Sequence, residues 1–357
     1  MGRLTRREAI LGLCALGVSP ALAAAQQPDF GPGAIIRTLF ADVAPESLAG
    51  GATLFHEHLS LGPDFNARFR AAGQAVLAAQ GRPTSGAAGP PPATGPDPMR
   101  DVGLMAEELR SAKRDGVACL VDAGLEGTGM DLNFIRAAAR MSGLTVVKGA
   151  GFYTQPFYPK EVMTMSEDQI VRTLIKQADD YPAGAFGEIG SWDEITATER
   201  RVFRAVGKAH LATNLPVFTH TGIPGKSALE QLDILEDAGV DPRRVAIGHL
   251  GNLNDPQAYV HKTICRRGAY VGIDRQGGGF GDDAVVPLVM ALIDAGFADH
   301  VLISGDASRG YARPLTNFLP KLRAAGAKDE VLHRITVDNP RRFLAFKPKR
   351  PRRPTAA

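Results

Sequence analysis

Apolar residues in this chain follow two alternating patterns. Short β-favouring runs predict strands near Ala52–Phe55 and over Ala118–Ala123, Leu144–Ala150, Gly184–Ile189, Pro216–His220, Val245–His249, Tyr270–Ile273 and His300–Ser304. Between them, apolar residues recur every three or four positions, as Leu104, Met105, Leu109 and Ala112 do within Met99–Asp115. That period predicts helices over 99–115, 132–141, 168–178, 198–212, 226–238, 256–267 and 283–296, with further helix through most of 315–345. Strands alternating with helices argue for a parallel sheet, and eight such units argue for closure into a single-domain α/β fold, the (β/α)8 TIM barrel. An open doubly wound sheet is the competing architecture. No G-x-G-x-x-G follows an early strand to support it, and Gln276-Gly277-Gly278-Gly279 lacks that spacing.

Outside the alternation lie three segments. Residues 62–98 are rich in Ala, Gly and Pro, with Gly89-Pro90-Pro91-Pro92 at the extreme, and read as a long loop suited to cover one end of the fold. The first 25 residues carry Thr5-Arg6-Arg7-Glu8, an apolar run from Ile10 to Val18 and small residues at Ala21–Ala25. This is the layout of an export signal, and the paired arginines resemble the twin-arginine class; an ordinary secretory signal is the alternative. The apolar run is too short to span a bilayer, so the expectation is a periplasmic or secreted protein without a stable membrane anchor. A tail over 347–357 holds five basic residues between Lys347 and Arg353 and is expected to be solvated. The barrel proper is thus assigned to 34–346.

Composition changes the picture in two places. The formal charge is +3, but removing +2 for the first 25 residues and +5 for the tail leaves the middle near −4. The barrel itself gives no reason to expect nucleic-acid binding. Outside the leader only Cys119 and Cys265 remain, too few for a disulfide framework or a thiolate metal site.

Chemistry concentrates at strand ends, where barrels keep their active sites. The first strand ends in His56 and His58, whose i, i+2 spacing points both imidazoles to one side. Later strands end in Glu188, His220, His249 and Asp306. Only eight histidines occur in the chain, and four of them fall at these ends. The other four, His210, His261, His300 and His333, are read as surface or packing residues. Six N/O ligands without thiolate suit two divalent ions, zinc first, with manganese and cobalt also accepted by such donors. A two-metal site of this kind shares a bridging carboxylate and a bridging hydroxide, and coordination acidifies the bound water toward pKa about 7.

At this point the sequence resembles the phosphotriesterase family of the amidohydrolase superfamily. H-x-H at His56/His58 is generic. T-H-T-G from Thr219, V-D-P-R-R-V-A-I-G-H-L-G from Val240 and V-G-I-D-R ending at Arg275 resemble the phosphotriesterase-like lactonases more closely, as does Asp338-Asn339-Pro340-Arg341-Arg342-Phe343-Leu344. The resemblance implies that His56, His58 and Asp306 hold a buried ion and that His220 and His249 hold a more exposed one. The residue bridging both would be Glu188, where many members carry a carbamylated lysine. Lys148 is the alternative bridge. Arg275 and Tyr153 match positions that contact substrate; a loop ion pair and a rim packing role are the plain alternatives. Asp122 is read either as an orienter of a ligand histidine or as a turn residue.

The reading is a metal-dependent hydrolase acting on a small-molecule lactone, carboxylic ester or phosphotriester, with Asp306 as proton shuttle. Two other readings stand beside it. Gly187-Glu188-Ile189-Gly190 is also similar to TatD-type metal-dependent nucleases, and a non-catalytic metal-holding barrel would bind a ligand without turnover. The resemblance also offers a homodimer packed through barrel helices.

Overall fold

Eight strands run parallel, each hydrogen-bonded to the next in chain order. The computed structural model describes residues 28–83, 95–222, 227–278 and 281–352. The export-type segment, the middle of the 62–98 insert and the end of the tail lie outside the described residues. A short hairpin of β1 (Ile36–Arg37) and β2 (Asp42–Val43) precedes the barrel. The barrel strands are β3 (Ala52–Glu57), β4 (Val117–Asp122), β5 (Thr145–Ala150), β6 (Ala185–Ser191), β7 (Val217–Thr221), β8 (Val245–Ile247), β9 (Tyr270–Ile273) and β10 (Val301–Ile303). All eight coincide with the apolar runs of the sequence, and the fold is the (β/α)8 barrel.

Helices follow in step: α1 (Phe65–Ala79), α2 (Val102–Arg114), α3 (Leu132–Ser142), α4 (Glu167–Asp180), α5 (Ala197–Thr213), α6 (Ala228–Asp237), α7 (Tyr259–Arg266) and α8 (Asp282–Asp294), then short helical segments through 314–344. Their starts are chemically marked. The Asp101 and Asp131 side chains accept backbone N–H groups at the starts of α2 and α3, and Ser166 and Thr196 form capping boxes with Gln169 and Glu199. Inside the barrel, Phe55, Cys119, Val121, Val147, Ala185, Phe218, Ala246 and Leu302 form one cluster, sealed below by Ile36, Phe343 and Leu344. Burial pushes the thiols of Cys119 and Cys265 up to about 12, so both pack as small hydrophobes.

Two strands carry an extra residue where they enter the barrel mouth. Between the pairs Leu54–Leu120 and Glu57–Asp122, β3 spends three steps against two on β4. The bulge lets Phe55 and His56 both face inward, so that both rings touch Phe218, at 6.4 and 5.3 Å. Likewise β6 spends three steps against two on β7 between Phe186–Val217 and Ile189–Thr219, at Gly187-Glu188. Gly187 is required there. Its φ is +151°, and a Cβ would sit 2.3 Å from the Phe218 ring.

Two expectations are corrected. The insert is not all loop: residues 65–79 form α1, because this stretch lacks proline, holds one glycine and is rich in alanine, the best helix former. The Gly/Pro content that suggested a loop belongs to the residues after it. Nor is the tail free in solvent as far as Arg352. Arg350 pairs with Asp179 at 2.7 Å, Lys349 donates to the Leu211 carbonyl, and Arg352 donates to the carbonyls of Thr38 and Leu39 at 2.8 and 2.7 Å. No helix among the described residues is long and apolar enough to cross a membrane.

Phe55 is fully buried at the centre of the barrel. Phe55→Ala should lower the unfolding free energy by about 3–5 kcal/mol, read from urea denaturation of the folded variant.

Candidate metal centre

Six of the residues singled out in the sequence converge at the barrel mouth, delivered by strand alternation, a bulge and two left-handed turns. His56 and His58 come from β3 and the residue after it, Glu188 from the bulge of β6, and His220 from β7. His249 and Asp306 follow β8 and β10 with φ of +61° and +48°. For side chains other than glycine the left-handed region costs about 1–2 kcal/mol. Both strained residues point into the same site, where the surrounding contacts hold them.

Glu188 lies at the middle. Its Oε2 is 3.2 Å from His56 Nε2, 3.0 Å from His220 Nδ1 and 3.5 Å from His249 Nε2, while Oε1 is 3.2 Å from His58 Nε2. Asp306 Oδ1 is 3.0 Å from His58 Nε2 and 3.8 Å from His56 Nε2. Two ligand groups result, His56–His58–Glu188–Asp306 and Glu188–His220–His249, with Glu188 common to both. The six are almost wholly buried, Asp306 being the most open at 16% side-chain exposure.

Asp274, at the end of β9, is the residue that sequence reasoning passed over. It stood inside the quoted V-G-I-D-R stretch, and the strand-end rule that selected the other ligands would have selected it too. Its Oδ2 is 2.9 Å from His56 Nδ1 and its Oδ1 is 2.9 Å from His249 Nδ1, and it also accepts the His249 backbone N–H at 2.9 Å. Both imidazoles must therefore carry hydrogen on Nδ1 and turn Nε2 toward Glu188. Gly248 makes room for this carboxylate: a Cβ there would lie 3.0 Å from Asp274 Oδ2 and 2.1 Å from the Thr219 carbonyl.

The remaining candidates sort cleanly. Tyr153 is buried, and its hydroxyl lies 3.0 Å from His220 Nδ1. Arg275 Nε donates to Asp306 Oδ2 at 2.8 Å, and its Nη1 donates to Asn252 at 3.2 Å. Asp122 touches no ligand histidine. It accepts the Leu59 N–H at 2.7 Å and pairs with Lys148 at 3.0 Å, which ties Lys148 outside the ligand ring. His210 and His261 are buried packing residues bonded to the carbonyls of Leu215 and Leu250. Helix α1 covers the His220 side. Phe65 stacks toward Tyr153 at 6.1 Å, and Phe69 lies 5.3 Å from Trp192 and 6.3 Å from His220.

Electrostatics give the cluster its chemical meaning. Burial alone would raise the carboxyl pKa values of Glu188, Asp274 and Asp306. Neighbouring imidazoles, and Arg275 for Asp306, reverse this and hold all three below the usual range. Burial alone would lower His58, but hydrogen bonds to Asp306 and Glu188 outweigh it and raise its pKa to about 10. His220 is held down at about 4 by burial and by His249. At His58 a proton thus takes the place a cation would have, with anionic oxygens facing imidazole nitrogens around a shared centre. His56 Nε2 is buried, makes no hydrogen bond and faces Glu188 and Asp306. A nitrogen so placed, in a set of oxygen and imidazole donors, fits divalent cations.

At pH 7, adding Zn2+ to metal-free protein in weak buffer should release protons, including the one on His58, as read by an indicator dye. The His58 pKa lies above its ordinary value of 6.5 in the folded state. Its stabilising contribution to the metal-free protein is therefore complete below about 6.5 and is lost as pH rises through about 10. Thermal midpoints of the metal-free protein should fall over that window, and the loaded protein should not share the His58-dependent part of the fall.

The family model for the phosphotriesterase family matches residues 38–344. The chain is 29% identical over 269 residues to an aryldialkylphosphatase from Saccharolobus solfataricus, covering 67% of this chain and 84% of that protein. It is 30% identical over 260 residues to the phosphotriesterase homology protein of Escherichia coli, covering 68% and 88%. A solved structure of the E. coli phosphotriesterase homology protein, complexed with phosphate in its active site, superimposes with a TM-score of 0.68 at 26% identity, covering 83% of this chain and 99% of that one. An N-acetyltaurine hydrolase from Mus musculus is 27% identical over 279 residues, covering 70% and 79%. With the match spanning the whole barrel, this chain belongs to the phosphotriesterase family.

Proposed function

We propose that this chain is a hydrolase that uses two divalent ions, zinc first, to cleave lactones or other carboxylic esters, with phosphotriesters as related substrates. The observation that carries the reading is Glu188, one carboxylate shared between His56–His58–Asp306 on one side and His220–His249 on the other. On this reading the two ions are held by those two sets with Glu188 common to both, and no carbamylated lysine is needed. When bound, such ions supply an acidified water as nucleophile and polarise the carbonyl or phosphoryl oxygen.

The protein groups divide the remaining work. Asp306 offers one oxygen toward His58 and the other to Arg275, so it can take a proton at the reacting centre and carry it to the leaving group. Arg275 keeps Asp306 anionic until that moment. Tyr153 fixes the His220 ring through its hydroxyl and, with Phe65 and Phe157, excludes water from that flank. A groove of about 500 Å³ opens on the other flank, lined by Arg275, Asn252, Leu253, Pro256, Val285 and Leu288, and gives a place for the unreacted part of a substrate. We also assign export by the twin-arginine route, which carries cargo already folded, to the Arg6-Arg7 leader.

A relative named for hydrolysing N-acetyltaurine supports a second reading, in which the bond cleaved is an amide. The test is a panel of lactones, aryl esters, dialkyl aryl phosphates and N-acetyltaurine, run with and without chelator. Chelation should abolish turnover. Asp306→Asn should reduce kcat at least ~100-fold, the order of a lost general base, with Zn2+ still bound by mass spectrometry or elemental analysis. Turnover of N-acetyltaurine alone would replace the ester reading. Two bound ions with no hydrolysis of any panel member would favour a binding barrel. Arg6→Lys with Arg7→Lys should keep the protein out of the periplasmic fraction of a host with that pathway; unchanged export would remove the twin-arginine assignment.

A further inference from the structure

The barrel ladder runs from β3 round to β10, and its seam lies between those two strands. No β10–β3 ladder joins it among the described residues. The contacts across the seam are made by the residues that carry the site. Asp306 N–H donates to the His56 carbonyl at 3.1 Å, and His58 N–H donates to the Ala307 carbonyl at 2.9 Å. Ser304 Oγ accepts the His56 N–H at 3.1 Å.

Glu57 binds this seam together. It stands between the two histidines on β3, so its side chain leaves the strand on the opposite face, away from the ligand cluster. The carboxylate is fully buried and no arginine or lysine pairs with it among the described residues. Three donors hold it, all from the loop after β10: Ser304 Oγ at 2.7 Å, Gly305 N–H at 2.7 Å and Ala307 N–H at 2.8 Å. The two backbone donors flank Asp306 on either side. Their direction toward one carboxylate fits the left-handed turn at Asp306, with φ of +48°. Gly305 leaves space for the approach, since a Cβ there would lie 3.2 Å from both Glu57 oxygens.

We propose that Glu57 is a positioning residue for Asp306: it grips the N–H groups on both sides of that aspartate and holds its carboxylate at His58. This inference rests on the metal-hydrolase reading for its consequence, since a displaced Asp306 matters through the chemistry assigned to it. A glutamine at position 57 offers one acceptor oxygen to three donors and turns an NH2 group toward another, so the loop must shift.

The test compares full-length wild type, Glu57→Gln, Asp306→Asn and the double variant, each loaded with Co2+. The readouts are the visible absorption of bound Co2+ and kcat and KM on the best substrate of the panel. Glu57→Gln should lower kcat about 10–100-fold with KM within about twofold, and should move the Co2+ band. Combined with Asp306→Asn it should change neither further, because its effect passes through that carboxylate. If Glu57→Gln does not fold, Ser304→Ala removes one of the three donors and should give the same signature in smaller size. An unchanged Co2+ band in a folded variant, or effects that add in full to those of Asp306→Asn, would overturn the positioning role and leave the hydrolase reading standing. If wild type binds Co2+ but hydrolyses nothing, the hydrolase reading falls while the absorption band still decides the role of Glu57. A wild type that binds no Co2+ overturns both.

Discussion

A carboxylate buried among four imidazoles is the constraint on which the rest of this molecule depends. Glu188 is 2% exposed, and an unpaired anion at that depth would lose its hydration with nothing in return. The protein answers with four ring nitrogens brought to within 3.5 Å of its two oxygens. Imidazole is the suitable partner because it accepts either a proton or a metal ion at the same nitrogen. Such a cluster can carry a proton, as at His58, or exchange it for a cation.

Bringing those groups together requires a backbone that regular strands cannot supply. Pure alternation on β3 would give Phe55 to the core or His56 to the site, but not both. The bulge gives each its place. At β6 the same device turns Glu188 inward, and Gly187 lets the chain lie against the Phe218 ring. His249 and Asp306 complete the set with left-handed backbones that fix their side chains beyond the strand ends. Asp274 then orients two of the imidazoles at once. Packing beneath and hydrogen bonding behind the ligands are one construction, with Phe218 and Asp274 as its shared walls.

The site is enclosed unevenly. On the His220 flank, α1 lays Phe65 and Phe69 against Tyr153 and Trp192. On the Asp306 flank, Arg275 borders an open groove between the loop after β8 and α8. The less buried ligands, His58 and Asp306, lie toward the second flank, while His220 and His249 lie deep.

The sequence by itself determined the barrel, because each strand is a local apolar run and each helix a local period with its own cap. It also determined most of the metal-capable cluster, since strand ends open on the barrel mouth and alternation selects which side chains face it. Asp274 met that same rule and was legible, though unread. Glu57 was not legible in its role: alternation says only that it faces away from His56 and His58, and its partners lie almost 250 residues further on, across the seam. The same holds for the tail, whose arginines look solvated until the fold sets Asp179 and the carbonyls of Thr38 and Leu39 beside them. Local pattern decides which way a side chain points. What it meets there is decided by closure of the barrel, which joins the first strand to the last and so lies beyond any local reading.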